Sequence, residues 1–194
     1  MARLLKGIYL LVALTFAPWG FAPMSSAWEL GAKVADFRLS DTAGNSHSLS
    51  SYPGKVLVLA LWSFKCPVSL AYDDRLAALQ KKYHDQGVVV LAVASNANES
   101  AAEIERNVRN LNLPIAVLLD QDGTIAQNLG ATHTPSIFIL DRGSIVRYQG
   151  ALDNNKRAGE SGRIAYAEEA LDAILAGRAV ALPETRAFGC SIRR

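Results

Sequence analysis

The sequence predicts an α/β fold with a central sheet, and three observations lead to that class. Unbroken apolar runs of strand length, VLVLALW at 56–62 and VVVLAVAS at 88–95, lie between turn residues, which is typical of strands buried on both faces. Amphipathic segments with helical spacing separate these runs. Strands and helices alternate along the chain until two strands follow each other directly, SIFILD and IVRYQG.

The elements are predicted in the following order. An N-terminal β-hairpin has Leu39 in its first strand, the turn DTAGN and the return SHSL. After VLVLALW, one helix runs from Pro67 to Gly87 with Leu70, Leu76, Leu79 and Tyr83 on its apolar face. VVVLAVAS, the helix SAAEIERNVRNLN, the strand IAVLLD, a short helix through Leu129 and the two final strands come next. A polar loop, ALDNNKRAGESGR, then precedes the helix AYAEEALDAILAGRAV and an extended tail, ALPETRAFGCSIRR.

The first 27 of the 194 residues differ from the rest of the chain. MARLLK is basic, GIYLLVALTFAPWGF is apolar and APMSSA ends in small residues, which predicts a secretory signal peptide cleaved after Ala27. The alternative is a membrane anchor, but the apolar run is short and is interrupted by Pro18 and Gly20. We therefore expect an exported protein, periplasmic or secreted, with no membrane span in its mature form.

Charge and cysteine content narrow the function classes. Two of the 20 basic residues lie in residues 1–27, so the mature chain has 18 basic against 18 acidic residues and no electrostatic basis for binding nucleic acid. His47, His84 and His133 are scattered, and no cluster has metal-ligand spacing, so no metal site is predicted. Outside the cytosol thiols tend to oxidise, so Cys66 and Cys190 could pair or act separately.

Cys66 stands where a buried strand ends and a helix begins, with Pro67 at the first helical position. Unpaired backbone N–H groups and the helix dipole at that place favour a thiolate, the form that attacks disulfides or peroxides. A small buried side chain at a strand end is the other interpretation.

Five stretches resemble thioredoxin-fold redoxins of the AhpC/TSA type, and among them a peroxiredoxin-like branch. They are KCPVSLAYDDRL, TPSIFILD, GALDNN, ALDAILAGRAV and the tail GCSIRR. The resemblance implies a thioredoxin-like fold, a central mixed sheet flanked by helices with an N-terminal β-hairpin and a C-terminal helix plus tail. It also implies a division into a signal peptide (1–27), a redoxin domain (28–176) and a tail (177–194) that carries Cys190.

Carried over residue by residue, the resemblance excludes a dithiol cycle within the strand–helix junction. The thioredoxin motif Trp-Cys-x-x-Cys falls on Trp62 to Cys66, with Ser63 in place of the first cysteine. The peroxiredoxin pattern instead makes Cys66 the nucleophile before Pro67, oriented by the Ser63 hydroxyl. Two departures from that pattern concern peroxide chemistry, because its proline falls on Leu59 and its arginine falls on Pro135.

The resemblance also assigns the surroundings of the site. Pro135 after Thr134 is expected to be the cis-proline that packs opposite the active cysteine, and a trans-proline opening a strand is the alternative. Trp62 would pack beside the site. Lys65 and His133 are candidates for tuning the Cys66 thiolate, or are simply solvated side chains.

Cys190 has three interpretations at this level. It could resolve an oxidised Cys66, form a static disulfide that fixes the tail, or remain a free thiol. The function implied is an exported, peroxiredoxin-like thiol oxidoreductase that reduces peroxides or protein disulfides. It would take electrons from a thiol-reductant protein, without a dissociable cofactor and in an undetermined oligomeric state. The alternative is a thioredoxin-fold binding or chaperone-like module with a structural disulfide between Cys66 and Cys190.

Overall fold

The computed structural model describes residues 28–157 and 159–194, and a five-stranded mixed sheet lies at its centre. The strands in this part of the chain are β1 Arg38–Ser40, β2 Ser46–Ser48, β3 Val56–Trp62, β4 Val88–Ala94, β5 Ala116–Leu119, β6 His133–Thr134, β7 Ser136–Leu140, β8 Val146–Gly150 and β9 Cys190–Ser191. The α-helices are α1 Pro67–Leu70, α2 Asp73–Tyr83, α3 Ala101–Leu111, α4 Thr124–Asn128 and α5 Tyr166–Leu175. The predicted signal peptide lies outside the described residues.

The central sheet has the strand order β5–β4–β3–β7–β8. Strands β3, β4 and β5 are parallel, whereas β7 runs antiparallel to β3 and β8 antiparallel to β7. All seven residues of β3 are buried, as the unbroken apolar run predicts for a central strand with both faces covered. The predicted α/β class with a central mixed sheet is confirmed.

Helices and loops cover both faces of the sheet. One apolar cluster joins alternate residues of β3, ending at Trp62, to the inner faces of α2, α3 and α5. The other joins the remaining β3 residues to α4 and to the N-terminal segment around Trp28. Burying one such aliphatic side chain is worth about 1.5–3 kcal/mol, so these clusters hold the end of β3 in a fixed position.

The predicted single helix from Pro67 to Gly87 is wrong in one respect. The chain leaves the helix after Leu70 and re-enters it at Asp73, and the Tyr72 amide donates to the Ser69 carbonyl at 2.8 Å across the break. This interruption changes the phase of the apolar positions. Leu70 is therefore 40% exposed instead of buried, while Tyr72 is 1% exposed.

The predicted N-terminal hairpin is confirmed, since β1 pairs with β2 in antiparallel fashion. Asp41 fixes its turn, because the carboxylate accepts the amides of Ala43 at 2.9 Å and Asn45 at 2.8 Å and contacts the His47 ring at 2.9 Å. Across residues 28–157 and 159–194, none of the helices has the length and apolar character needed to cross a bilayer.

Candidate functional site

The Cys66 thiol lies at the carboxyl end of β3, where the chain turns into α1. Cys66 is the N-cap residue and Pro67 occupies the first helical turn, as the sequence predicts. The side chain has no exposed surface.

The loop before β7 faces this cysteine. The peptide bond between Thr134 and Pro135 is cis, which confirms that prediction. The Cys66 thiol donates to the Thr134 carbonyl oxygen at 3.1 Å, and Thr134 is itself fully buried. The cis-proline segment and the α1 junction therefore form opposite walls of the site.

The C-terminal tail closes the site from a third side. Its strand β9 pairs with β6 in antiparallel fashion, so that Cys190 stands opposite Thr134. Beyond the strand, the Ile192 amide donates to the Thr132 carbonyl at 2.9 Å, and the Arg193 backbone exchanges two hydrogen bonds of 2.8 Å with residues 96 and 97. The tail is thus bound along its last residues and covers the Cys66 sulfur.

The tail brings the two cysteines together. Both are free thiols, and Cys190 stands opposite Thr134, the residue whose carbonyl oxygen accepts the Cys66 thiol at 3.1 Å. Cys66 is fully buried, whereas Cys190 retains partial exposure. Spacing in the sequence left open whether these residues meet, and the fold places them side by side.

The surroundings shift the pKa values of the two thiols in opposite directions. Burial raises the pKa of the Cys66 thiol, but hydrogen bonds from the Cys190 side chain and from the amides of Ser69, Cys190 and Val68 outweigh it, so the pKa is lowered overall. Burial, together with the hydrogen bond to Cys66, raises the pKa of Cys190 to about 11. Cys66 is therefore the more acidic of the two thiols, and Cys190 is the less acidic one.

Ser63 does not orient Cys66 in this structure. Its buried hydroxyl donates to a carboxylate oxygen of Glu99, which also accepts the Lys65 amide at 3.1 Å. Glu99 is 1% exposed, and its second oxygen has no hydrogen-bond partner among the described residues. The predicted hydrogen bond between Ser63 and the thiolate is replaced by this buried pair.

The other predicted site residues divide into those near the sulfur pair and those directed away from it. The Lys65 ammonium contacts the Asn98 carbonyl and the Glu103 carboxylate, not the Cys66 sulfur. His133 lies on β6 next to Thr134, half-buried, with its ring bonded to the Thr132 hydroxyl at 2.8 Å.

Trp62 is fully buried, and its indole N–H donates to the Asp73 carboxylate at 2.8 Å. Burial, opposed by that hydrogen bond, raises the pKa of Asp73 to about 6. In the part of the chain that the structure describes, no group of three or more histidine, cysteine or acidic residues is arranged to hold a metal ion.

Sequence reasoning missed Glu99 and Asp73. Glu99 immediately precedes the α3 cap Ser100 and follows the buried strand β4. A charged residue just after the carboxyl end of a parallel strand is a recognisable signal, because ligand sites collect at that edge of α/β sheets. Asp73 gave no comparable signal, since an acidic residue at a helix start is usually exposed.

The AhpC/TSA family model matches residues 30–149. The chain is a member of the AhpC/TSA family. Its curated relatives include the thiol-disulfide oxidoreductase ResA of Geobacillus thermodenitrificans, 28% identical over 141 residues that cover 72% of this chain and 80% of ResA. The thiol:disulfide interchange protein DsbE of Vibrio cholerae is 29% identical over 131 residues, 66% of this chain and 68% of DsbE.

Solved structures place this AhpC/TSA member among proteins of thioredoxin-like fold. It resembles an exposed lipoprotein thioredoxin of Streptococcus pneumoniae with a TM-score of 0.57 and 26% identity, over 63% of this chain and 93% of that one. An uncharacterised protein of Geobacillus kaustophilus matches with a TM-score of 0.77 and 27% identity, over 86% of this chain and 93% of its own. The predicted thioredoxin-like fold is confirmed, whereas Cys190 lies beyond the residues that the family model matches.

Proposed function

We propose that the protein is an exported thiol–disulfide oxidoreductase in which Cys66 and Cys190 form one redox pair. The observation that carries the proposal is the position of both cysteines at Thr134: Cys66 donates to its carbonyl, and the pairing of β9 with β6 sets Cys190 opposite it. Residues 1–27 would act as the signal peptide, 28–176 as the redoxin domain and 177–194 as the tail that supplies the second thiol. The relatives named ResA and DsbE support this chemistry.

In the proposed cycle, the Cys66 thiolate attacks one sulfur of a disulfide substrate, whose S–S bond breaks. One substrate sulfur leaves as a thiolate and takes up a proton, and the other stays in a mixed disulfide with Cys66. Cys190, as its thiolate, then attacks the Cys66 sulfur and releases the second substrate thiol. The protein ends as a disulfide, having given up two electrons, and a thiol-reductant protein restores it. Because Cys66 has no exposed surface, the tail must shift before the first attack.

Disulfide substrates fit this site better than peroxides. The Ser63 hydroxyl, which the peroxidase hypothesis directs at Cys66, donates to Glu99 instead. No arginine side chain among the described residues forms a hydrogen bond with Cys66 or Thr134, so no guanidinium is placed to polarise an O–O bond there. A partner cysteine next to Cys66 serves the second step of disulfide exchange directly.

The test is a single-turnover reaction of the fully reduced chain with a model disulfide at neutral pH, stopped with acid and resolved by mass spectrometry. The wild-type chain should form a Cys66–Cys190 disulfide, Cys190→Ser should stop at a mixed disulfide on Cys66, and Cys66→Ser should lose the fast reaction. An unreactive wild type, or a Cys66→Ser variant as fast as wild type, would disprove the proposal. Faster reaction with hydrogen peroxide and a trapped sulfenic acid would instead assign peroxidase activity.

A further inference from the structure

A groove of about 630 Å³ opens beside the two cysteines. Its lining includes residues from each segment that holds the sulfur pair: Val68 from α1, His133 from β6 and the five tail residues 185–189. The Val68 amide is one of the donors to the Cys66 sulfur, and Gly189 directly precedes Cys190. A molecule seated in this groove would therefore lie beside the segments that hold both thiols, and would reach Cys66 once the tail shifts.

The groove is cationic. Lys156 and Arg186 line it, both exposed, and neither forms a salt bridge with any residue in 28–157 or 159–194. The Lys156 ammonium lies 5.5 Å from the centre of the Phe188 ring, which keeps it over the groove. No aspartate or glutamate is among the lining residues. Glu160 lies beside the groove, where its carboxylate accepts the Lys156 amide at 2.9 Å.

We infer that this groove binds a small disulfide that carries carboxylate groups, with its sulfur atoms directed at the Cys66–Cys190 pair. The inference rests on the proposed function and adds the class of substrate. Cations without a salt-bridge partner attract anionic groups, and Lys156 and Arg186 can each bind one carboxylate. The imidazole of His133, which also lines the groove, adds a further hydrogen-bonding group. The volume is that of a site for a small molecule.

The redox step is the exchange described above. One substrate S–S bond is replaced by one protein S–S bond, two protein thiols are oxidised, and two carboxylate-bearing thiols are released with the two protons. The cationic groove accelerates the first attack by concentrating the anionic disulfide at the site, where the substrate meets the Cys66 sulfur once the tail shifts.

The test compares three symmetrical disulfides of similar length: anionic 3,3′-dithiodipropionate, neutral bis(2-hydroxyethyl) disulfide and cationic cystamine. Each second-order rate constant for the reduced full-length chain is divided by that of a small reference dithiol under the same conditions, which removes intrinsic differences between the disulfides. We expect the normalised rate for dithiodipropionate to exceed the neutral rate by about tenfold, and to fall as salt is added.

Two charge-reversal variants locate the effect. Lys156→Glu/Arg186→Glu should reverse the order, so that cystamine becomes the fastest of the three. Arg142→Glu/Arg178→Glu is the matched control, because it changes the net charge equally at exposed positions outside the groove and should retain the anionic preference. Both variants leave the apolar clusters untouched, so folding should be retained and is checked by circular dichroism.

The outcomes separate the two proposals. Equal normalised rates for all three disulfides overturn the groove inference and leave the redox pair standing. Equal effects of the two double variants show that net charge, not the groove, sets the preference, and likewise overturn it. No reaction with any of the disulfides overturns the proposed function and the inference together.

Discussion

Replacing Gly189 with alanine is expected to release the tail from the redox site. Gly189 has φ +151°, and a Cβ added there would lie 2.0 Å from the Thr134 carbonyl oxygen and 3.0 Å from Cδ of Pro135. Ordinary van der Waals contact begins at 3.4 Å, so the tail would have to move by about 1.4 Å. The opposing atom belongs to the backbone of the cis-proline segment, which is packed against β3 and cannot yield as a flexible side chain would.

The loss of stability of the bound tail follows from the hydrogen bonds that such a shift breaks. The amide of Ile192 and the two backbone bonds of Arg193 hold the tail at 2.8–2.9 Å. At a net value of about 1 kcal/mol for each bond, their loss costs about 3 kcal/mol of local stability. Since 1.4 kcal/mol corresponds to a factor of ten, the open form of the tail should become about 100-fold more populated.

Alkylation of Cys66 by iodoacetamide measures this opening, because Cys66 has no exposed surface while the tail is bound. Gly189→Ala should be compared with its parent in a Cys190→Ser background, so that alkylation reports on Cys66 alone. In both proteins Cys66 then reacts only after the tail has opened. The matched control is Gly44→Ala, at φ +85° in the hairpin turn with nothing within 4 Å of its added Cβ. An alkylation rate that rises less than threefold in a folded Gly189→Ala protein would refute the steric argument.

Two further predictions concern ionisation. The pKa of Cys66 is lowered and the pKa of Cys190 is raised to about 11. The absorbance of the reduced protein at 240 nm should therefore rise in two thiolate steps, one below pH 9 and one near pH 11. The first step should be absent in Cys66→Ser. By linkage, the free energy of unfolding should rise with pH between the Cys66 pKa and about 9, because in that range the unfolded state keeps the Cys66 proton that the folded state has lost. Above pH 9 it should fall, because the folded state retains the Cys190 proton that the unfolded state loses. A single step near pH 9 would contradict both assignments. The raised pKa of Asp73, about 6, means that its ionisation opposes folding: the stabilising effect of the protonated acid is complete below about pH 4 and is lost as the pH rises through 6. Asp73→Asn, which still offers Trp62 an acceptor oxygen, should therefore stabilise the protein by about 1–2 kcal/mol at pH 7 and by little at pH 4 in urea unfolding, and an equal effect at both pH values would count against a buried charge.

The sequence predicted the sheet well because the signal there is local. Apolar runs and turn residues define the strands, and a strand such as β3 is buried along its whole length in the structure. The helix after Cys66 was predicted less well, since the break at Tyr72 carries no proline or glycine. What interrupts the helix is the packing of the Tyr72 side chain into the core, which periodicity does not reveal.

The site was predictable only as far as short-range patterns reach. Strand, cysteine and proline in succession predicted Cys66 at a helix N-terminus, and the resemblance to redoxins predicted the cis-proline. The partner of Ser63 was not predictable, because Glu99 lies 36 positions further along and is brought to it by the adjacent parallel strands.

By itself, the sequence determined the α/β class, the order of the elements and the position of one cysteine where a strand meets a helix. Those properties depend on residues close together in the sequence and on the apolar faces that those residues give each strand and helix. Only the tertiary structure decided that Cys190 meets Cys66, since the two are 124 positions apart and their contact depends on the path of the whole chain. At the end of the chain, the backbone of β9 pairs with the backbone of β6, and this pairing places Cys190 at the site. Main-chain hydrogen bonds of this kind are not specified by any pattern of side chains in the sequence.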